Sequence, residues 1–149
     1  MSMIEEPKEE HLEKIHRSLI TVGNKLNLLG IPWLLGGSGV LMVHGLDIVP
    51  WDLDILATPE NVNKIIREFG ESITNPDEEE LTLNIEGIDI EIIKIPNIGS
   101  PVLVLFQNTP IPVNTLENEL SYYKKRQGKE ETIKLIEKKL SAKTNQPLK

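Results

Sequence analysis

Two stretches of the chain carry side chains whose type and spacing suit chemistry on phosphate oxygens. Asp52-Leu53-Asp54 sits in a run, Trp51 to Ala57, that alternates as a strand does. Both carboxylates then share one face, about 6–7 Å apart at their α-carbons, close enough to converge on divalent cations about 4 Å from each other. Aspartate is a poor strand former, and apolar residues flank this pair, so its placement points to function rather than to folding. Further on, Asp89 and Glu91 share a face of a second run, Ile88 to Ile95. Glu91 lies deeper among apolar neighbours and is the preferred third carboxylate; Asp89, beside the turn, is the alternative. Two carboxylates about 4 Å apart repel by about 4 kcal/mol at an effective dielectric near 20. A cluster of them therefore calls for a cation, and Mg²⁺ or Mn²⁺ is the natural match to carboxylate and phosphate oxygens.

Ahead of these carboxylates, Gly36-Gly37-Ser38 joins a short apolar run to a helical segment. Backbone N–H groups and the Ser38 hydroxyl in such a turn can face a phosphate, and glycine permits close approach. The turn lacks the Lys-Ser/Thr ending of a P-loop and does not match Gly-x-Gly-x-x-Gly. Lys124, Lys125, Arg126 and Lys129 form a basic cluster near the end of a later helix, where basic residues also suit the helix dipole; Lys124 is the candidate for phosphate contact. His11, His16 and His44 show no metal-ligand spacing. Trp33 and Trp51 are expected in the core, while Tyr122 and Tyr123 either line a pocket or cover the sheet.

The elements that must position these residues are legible from periodicity. Leu12, Ile15, Leu19, Val22, Leu26 and Leu29 mark one face of a helix between Pro7 and Gly30. The same stripe would suit a homodimer seam, but it lasts about three heptads, which favours packing on the chain's own sheet. A strand over Ile31 to Leu35 and a helix over Ser38 to His44 follow. Thr58-Pro59-Glu60 opens a helix with Val62, Ile65, Ile66 and Phe69 on its buried face and Gly70 at its end. After a polar loop from Glu71 to Glu80, Leu81 to Ile85 and Ile88 to Ile95 form a hairpin turning at Glu86-Gly87. Prolines break the stretch from Pro96 to Pro112, leaving one short strand at Val102 to Phe106. Asn114 and Glu117 read as a capping box for a helix through Arg126, and Gly128 separates it from a last helix carrying Ile133, Ile136 and Leu140. These elements define one domain over residues 1–141, with 142–149 as a polar tail.

At 149 residues the chain has the length of one domain with its own core. It has no cysteine, which excludes disulfides, thiolate metal sites and cysteine nucleophiles and suits a reducing, cytoplasmic setting. Residues Met1 to Lys8 have neither the basic start nor the apolar core of a secretory signal. The most apolar region, Ile31 to Trp51, is broken by Pro32, glycines and Asp47, so no membrane span is expected. A net charge of -7 argues against long nucleic acid as partner.

The ordered set Leu35-Gly36-Gly37-Ser38, then Asp52-Leu53-Asp54, then Ile90-Glu91-Ile92 resembles the polymerase β-like nucleotidyltransferase superfamily, as represented by small bacterial and archaeal members. The resemblance covers Ile31 to Ile95 and implies an α/β (α+β) fold, a small mixed sheet with helices packed on it and further helices at the C-terminus. It implies that Gly36, Gly37 and Ser38 hold nucleotide phosphates, that Asp52 and Asp54 bind metal, and that Glu91 completes the site and assists the acceptor. The implied reaction is transfer of NMP from an NTP to a hydroxyl of a small molecule or protein. Val49-Pro50-Trp51 stands where many members have Arg and Ser or Thr, and the third carboxylate is commonly Asp. These departures favour a second reading, a non-catalytic nucleotide-binding or regulatory module; the intact Asp pair favours the enzyme.

Overall fold

A computed structural model of the chain describes residues 8–76 and 80–144. Pro7, the centre of the polar loop and the end of the tail lie outside these residues. The first helix, α1, spans Lys8–Leu28. Its stripe of Ile15, Leu19, Val22 and Leu26 is fully buried within the chain, so this face is already covered and is not a seam for a partner. Strand β1 is Leu34–Gly36, α2 is Ser38–Val43, β2 is Leu53–Ala57 and α3 is Pro59–Glu68. A hairpin follows, β3 Leu81–Ile85 and β4 Ile88–Lys94, turning on Glu86 and Gly87 at φ 53 and 85. Positive φ at both central residues is the turn whose twist matches the strands.

The sheet order is β1-β2-β4-β3. Strand β2 is antiparallel to β1 and parallel to β4, while β3 is antiparallel to β4. The parallel step requires a crossover, and α3 lies in it. On β2 the side chains alternate, with Leu53, Ile55 and Ala57 buried and Asp54 and Leu56 half-buried. Ile88, Ile90 and Ile92 of β4 continue the buried side. These residues, α1, Val62 and Ile65 of α3 and its C-cap Phe69 form one core. Burying each such aliphatic side chain contributes about 1.5–3 kcal/mol, which makes this face of the sheet the one that holds the fold together.

The other face carries Asp54 and Leu56 beside Glu91 and Ile93, and the C-terminal helices approach it. Helix α4 spans Leu116–Lys124 and α5 Glu130–Thr144. Leu116, Tyr123 and Ile136 pack with Leu41 and Leu46 into a second core, which fixes α4 relative to α2. The cap of α4 is Thr115, whose hydroxyl accepts from Asn118 N–H at 3.2 Å, rather than the expected Asn114. Helix α5 continues through Thr144, past the expected boundary at 141.

Other expectations shift for physical reasons. The first strand runs over 34–36 rather than 31–35, because Pro32 has no N–H for a ladder and Gly36 is needed opposite Asp54. The proline-rich stretch holds two strands, β5 Val102–Phe106 and β6 Thr109–Val113, paired antiparallel through a turn with Gln107 and Asn108 at φ 48 and 73. Pro110 and Pro112 are tolerated because β6 belongs to a two-stranded sheet and has one ladder partner only. Trp33 is buried as expected, but Trp51 is 73% exposed.

Candidate active site

The turn after β1 brings the glycine segment onto the β2 carboxylate. Gly36 is the ladder partner of Asp54. Gly37 has φ 62 and ψ -156, a combination essentially restricted to glycine. A Cβ placed on it would lie 2.5 Å from Asp54 Oδ2, so the bare backbone is what allows the turn to pass over that carboxylate. Ser38 follows as the first residue of α2.

Strand β4 supplies the second carboxylate, since Asp54 and Glu91 are register partners in the parallel ladder. Neighbouring strands lie about 4.8 Å apart, and the two side chains point the same way. They share a hydrogen bond. Burial holds the Asp54 carboxyl above its usual range, the Glu91 hydrogen bond draws it back, and the Asp52 charge raises it. Glu91 is raised by burial, then by the charges of Asp54 and Glu80 and by hydrogen bonds to both.

Asp52 stands apart from the pair. It precedes β2 rather than lying within it and is exposed, so the expected common strand face with Asp54 does not form. The cause is the ladder itself: β1 pairing ends at Gly36 opposite Asp54, and β4 pairing begins at Ile90 opposite Leu53. Nothing extends the strand back to Asp52. Its loop is instead held by His11, whose Nε2–H donates to the Pro50 carbonyl at 3.0 Å and whose ring lies 4.7 Å from that of Trp51. His11 thus has a structural task at the site that no metal-ligand pattern in the sequence would reveal.

A cavity of about 490 Å³ collects Ser38, Trp51, Asp52, Asp54, Thr82, Asp89 and Glu91. Asp89 is exposed at its edge and accepts from Asn84 Nδ2 at 3.0 Å, whereas Glu91 faces Asp54. Among the described residues no three acidic or imidazole side chains are gathered into a ready-made ligand set. Asp54 and Glu91 are in place, and Asp52 reaches the cavity from its loop.

A second cavity of about 280 Å³ lies on the other side of Asp54, lined by Gly36, Gly37, Leu56, Ile93, Asn114 and residues of α4 and its end. Tyr122 and Tyr123 both line it, and so does Arg126. Lys124 does not line either cavity; its Nζ lies 4.0 Å from Glu137 of α5. Glu119, which sequence reasoning missed, is 7% exposed and lines this cavity. Its signal was available, because Leu116, Glu119 and Tyr123 are spaced by three and four and place an acid on the apolar stripe of α4. Burial pushes its carboxyl up to about 7.

No protein-family model matches the chain, and no curated protein matches it. Solved structures do, and they agree with the strand order in showing the fold: the chain has a nucleotidyltransferase fold. A candidate nucleotidyltransferase from Thermotoga maritima is 23% identical with a TM-score of 0.69, over 87% of this chain and 94% of that one. The lincosamide antibiotic adenylyltransferase LnuA, solved with lincomycin, is 16% identical with a TM-score of 0.60, over 81% and 95% of the two chains. ANT(2")-Ia, in complex with adenylyl-2"-tobramycin, is 11% identical with a TM-score of 0.55, over 89% and 91%.

Proposed function

We propose that this chain is a metal-dependent nucleotidyltransferase that moves a nucleoside monophosphate from an NTP to a hydroxyl acceptor. The observation that carries this reading is the seat of Gly37 on Asp54: a glycine-only turn closes on a carboxylate that is itself paired with Glu91. Such a juxtaposition has a use when a triphosphate and a cation are to be held at one point. The lincomycin and adenylyl-tobramycin bound to two structures of this fold support a small-molecule acceptor over a protein.

The residues fit a hard divalent cation. The cavity offers carboxylate and hydroxyl oxygens and no basic side chain, and Asp54 and Glu91 are held together against their mutual repulsion. Asp54 and Glu91, joined by Asp52, would hold Mg²⁺ or Mn²⁺. Bound there, the cation supplies neutralising charge to triphosphate oxygens and carboxylates alike. Gly37 and Ser38 hold the phosphates through backbone N–H and hydroxyl. Glu91, ionised, accepts the proton of the acceptor hydroxyl, whose oxygen bonds to the α-phosphorus as pyrophosphate leaves.

The test is a melting series with each NTP, with and without Mg²⁺ or Mn²⁺, followed by label transfer. A nucleotide at 100 times its Kd adds about 2.7 kcal/mol to stability, and the increment should require metal. Label from the α-phosphate, and not the γ-phosphate, should reach the acceptor. Transfer of γ-label would make the protein a kinase. Metal-dependent binding without any transfer would establish the non-catalytic module, which the displacement of Asp52 from the strand favours. No metal-dependent shift with any NTP refutes the enzyme and leaves a regulatory or interaction module of the same fold.

A further inference from the structure

The open face of the sheet is divided at Asp54. On one side lies the acidic cavity; on the other, Leu56 and Ile93 make an apolar floor beneath α4. Asp54, Gly36 and Gly37 border this second cavity, so a ligand whose phosphates lie on the glycine turn can extend into it. Its volume of about 280 Å³ is at the lower end for small-molecule sites and suits one ring system. The half-exposed Tyr122 ring offers a stacking surface. It carries the Arg126 guanidinium 5.3 Å from its centroid, and Arg126 Nη1 donates to the Tyr122 hydroxyl at 2.9 Å.

Glu119 is the anomaly of this cavity. Glu119 as a residue is 7% exposed, its carboxyl opens onto this cavity, and among the described residues no side chain donates a hydrogen bond to it or forms an ion pair with it. A carboxylate largely withdrawn from water and given no partner is costly to ionise. The cost is relieved if a ligand brings the donors.

We infer that this cavity takes the base of the nucleotide and that Glu119 selects guanine there. An ionised carboxylate only accepts, through two oxygens side by side, so the edge that satisfies it presents two adjacent N–H donors. Guanine presents them at N1 and the exocyclic N2. Adenine and cytosine place an acceptor next to their amino group, and uracil has one donor between two acceptors. An apolar floor, an aromatic wall and one convergent acid are the elements of a base-reading site, and the acidic cavity across Asp54 remains for the acceptor. Glu119 is a specificity-determining residue in this scheme and takes no part in the transfer itself.

The inference rests on the nucleotidyltransferase reading, and calorimetry at pH 8 with Mg²⁺ separates the two. GTP should bind the parent roughly 10–100 times more tightly than ATP, with ITP, which keeps N1–H and lacks the N2 amino group, in between. Glu119→Gln should lower GTP affinity by about the same factor and change ATP affinity much less, which distinguishes a lost base contact from a lost fold. Glu119→Ala, compared by melting temperature, guards against a particular effect of glutamine. Equal binding of GTP and ATP, or a GTP preference that survives both substitutions, overturns this inference and leaves the proposed function standing. Failure of every triphosphate to bind overturns both.

Discussion

Replacing Gly37 by alanine tests the geometry on which the functional reading depends. Two costs add at this position. The backbone at φ 62 and ψ -156 lies where a residue with a Cβ is strained by about 1–3 kcal/mol. The added methyl would also meet Asp54 Oδ2 at 2.5 Å, well inside van der Waals contact, so the carboxylate must move by about 1 Å. That displacement disturbs the hydrogen bond to Glu91, and the combined loss should be roughly 2–4 kcal/mol. For a chain of this length it corresponds to a fall in Tm of about 4–16 °C. Gly87→Ala is the control. Gly87 also has positive φ, 85, but open space lies around its missing Cβ, so only the backbone cost of about 1–2 kcal/mol applies. Differential scanning fluorimetry on both variants, with and without Mg²⁺ and NTP, reads stability and binding together. Gly37→Ala should lose the metal-dependent nucleotide shift and Gly87→Ala should keep it. The reasoning is refuted if Gly37→Ala is no less stable than Gly87→Ala and binds nucleotide as the parent does.

Three further outcomes are expected. Burial raises Glu119 to about 7 from 4.5, so between these values the folded chain keeps a proton that the unfolded chain has released, and stability falls as pH rises through this window. Screening reduces the full difference to roughly 1–2 kcal/mol; Glu119→Gln should flatten the Tm profile and melt about 2–8 °C higher than the parent at pH 8, and parallel profiles would show that Glu119 is not held up by burial. Asp54→Asn, which removes a carboxylate raised by burial, should melt at or above the parent without metal and below it with Mg²⁺ and NTP, whereas a lower metal-free Tm with intact ligand shifts would make Asp54 structural. Leu19→Ala, at a fully buried position between α1 and the sheet, should cost about 2–5 kcal/mol in urea unfolding; a loss under 1 kcal/mol would mean that the stripe does not pack there.

The sequence by itself determined the elements whose signal is local. The α1 stripe, the proline start of α3 and the Glu86-Gly87 hairpin are each decided by periodicity or by a residue's own φ preference, and they form where they are expected. The glycine turn and Asp54 were legible because glycine, and an acid in an apolar strand, are conspicuous against their surroundings. Strand β6 was not, since prolines argue against a ladder and only the later pairing with β5 shows that one partner suffices. Asp52 illustrates the same limit: alternation placed it on the strand, but a strand ends where its neighbours stop pairing, and those neighbours come from residues 34–36 and 88–94. That Arg126 rather than Lys124 lines the second cavity, and that Glu119 is buried, depends on how α4 packs over the sheet. That packing is set by Leu41, Tyr123 and Ile136, distant in sequence and in contact only once the chain has folded. Periodicity can assign a side chain to a face of a helix; which atoms lie opposite that face is a property of the packing alone.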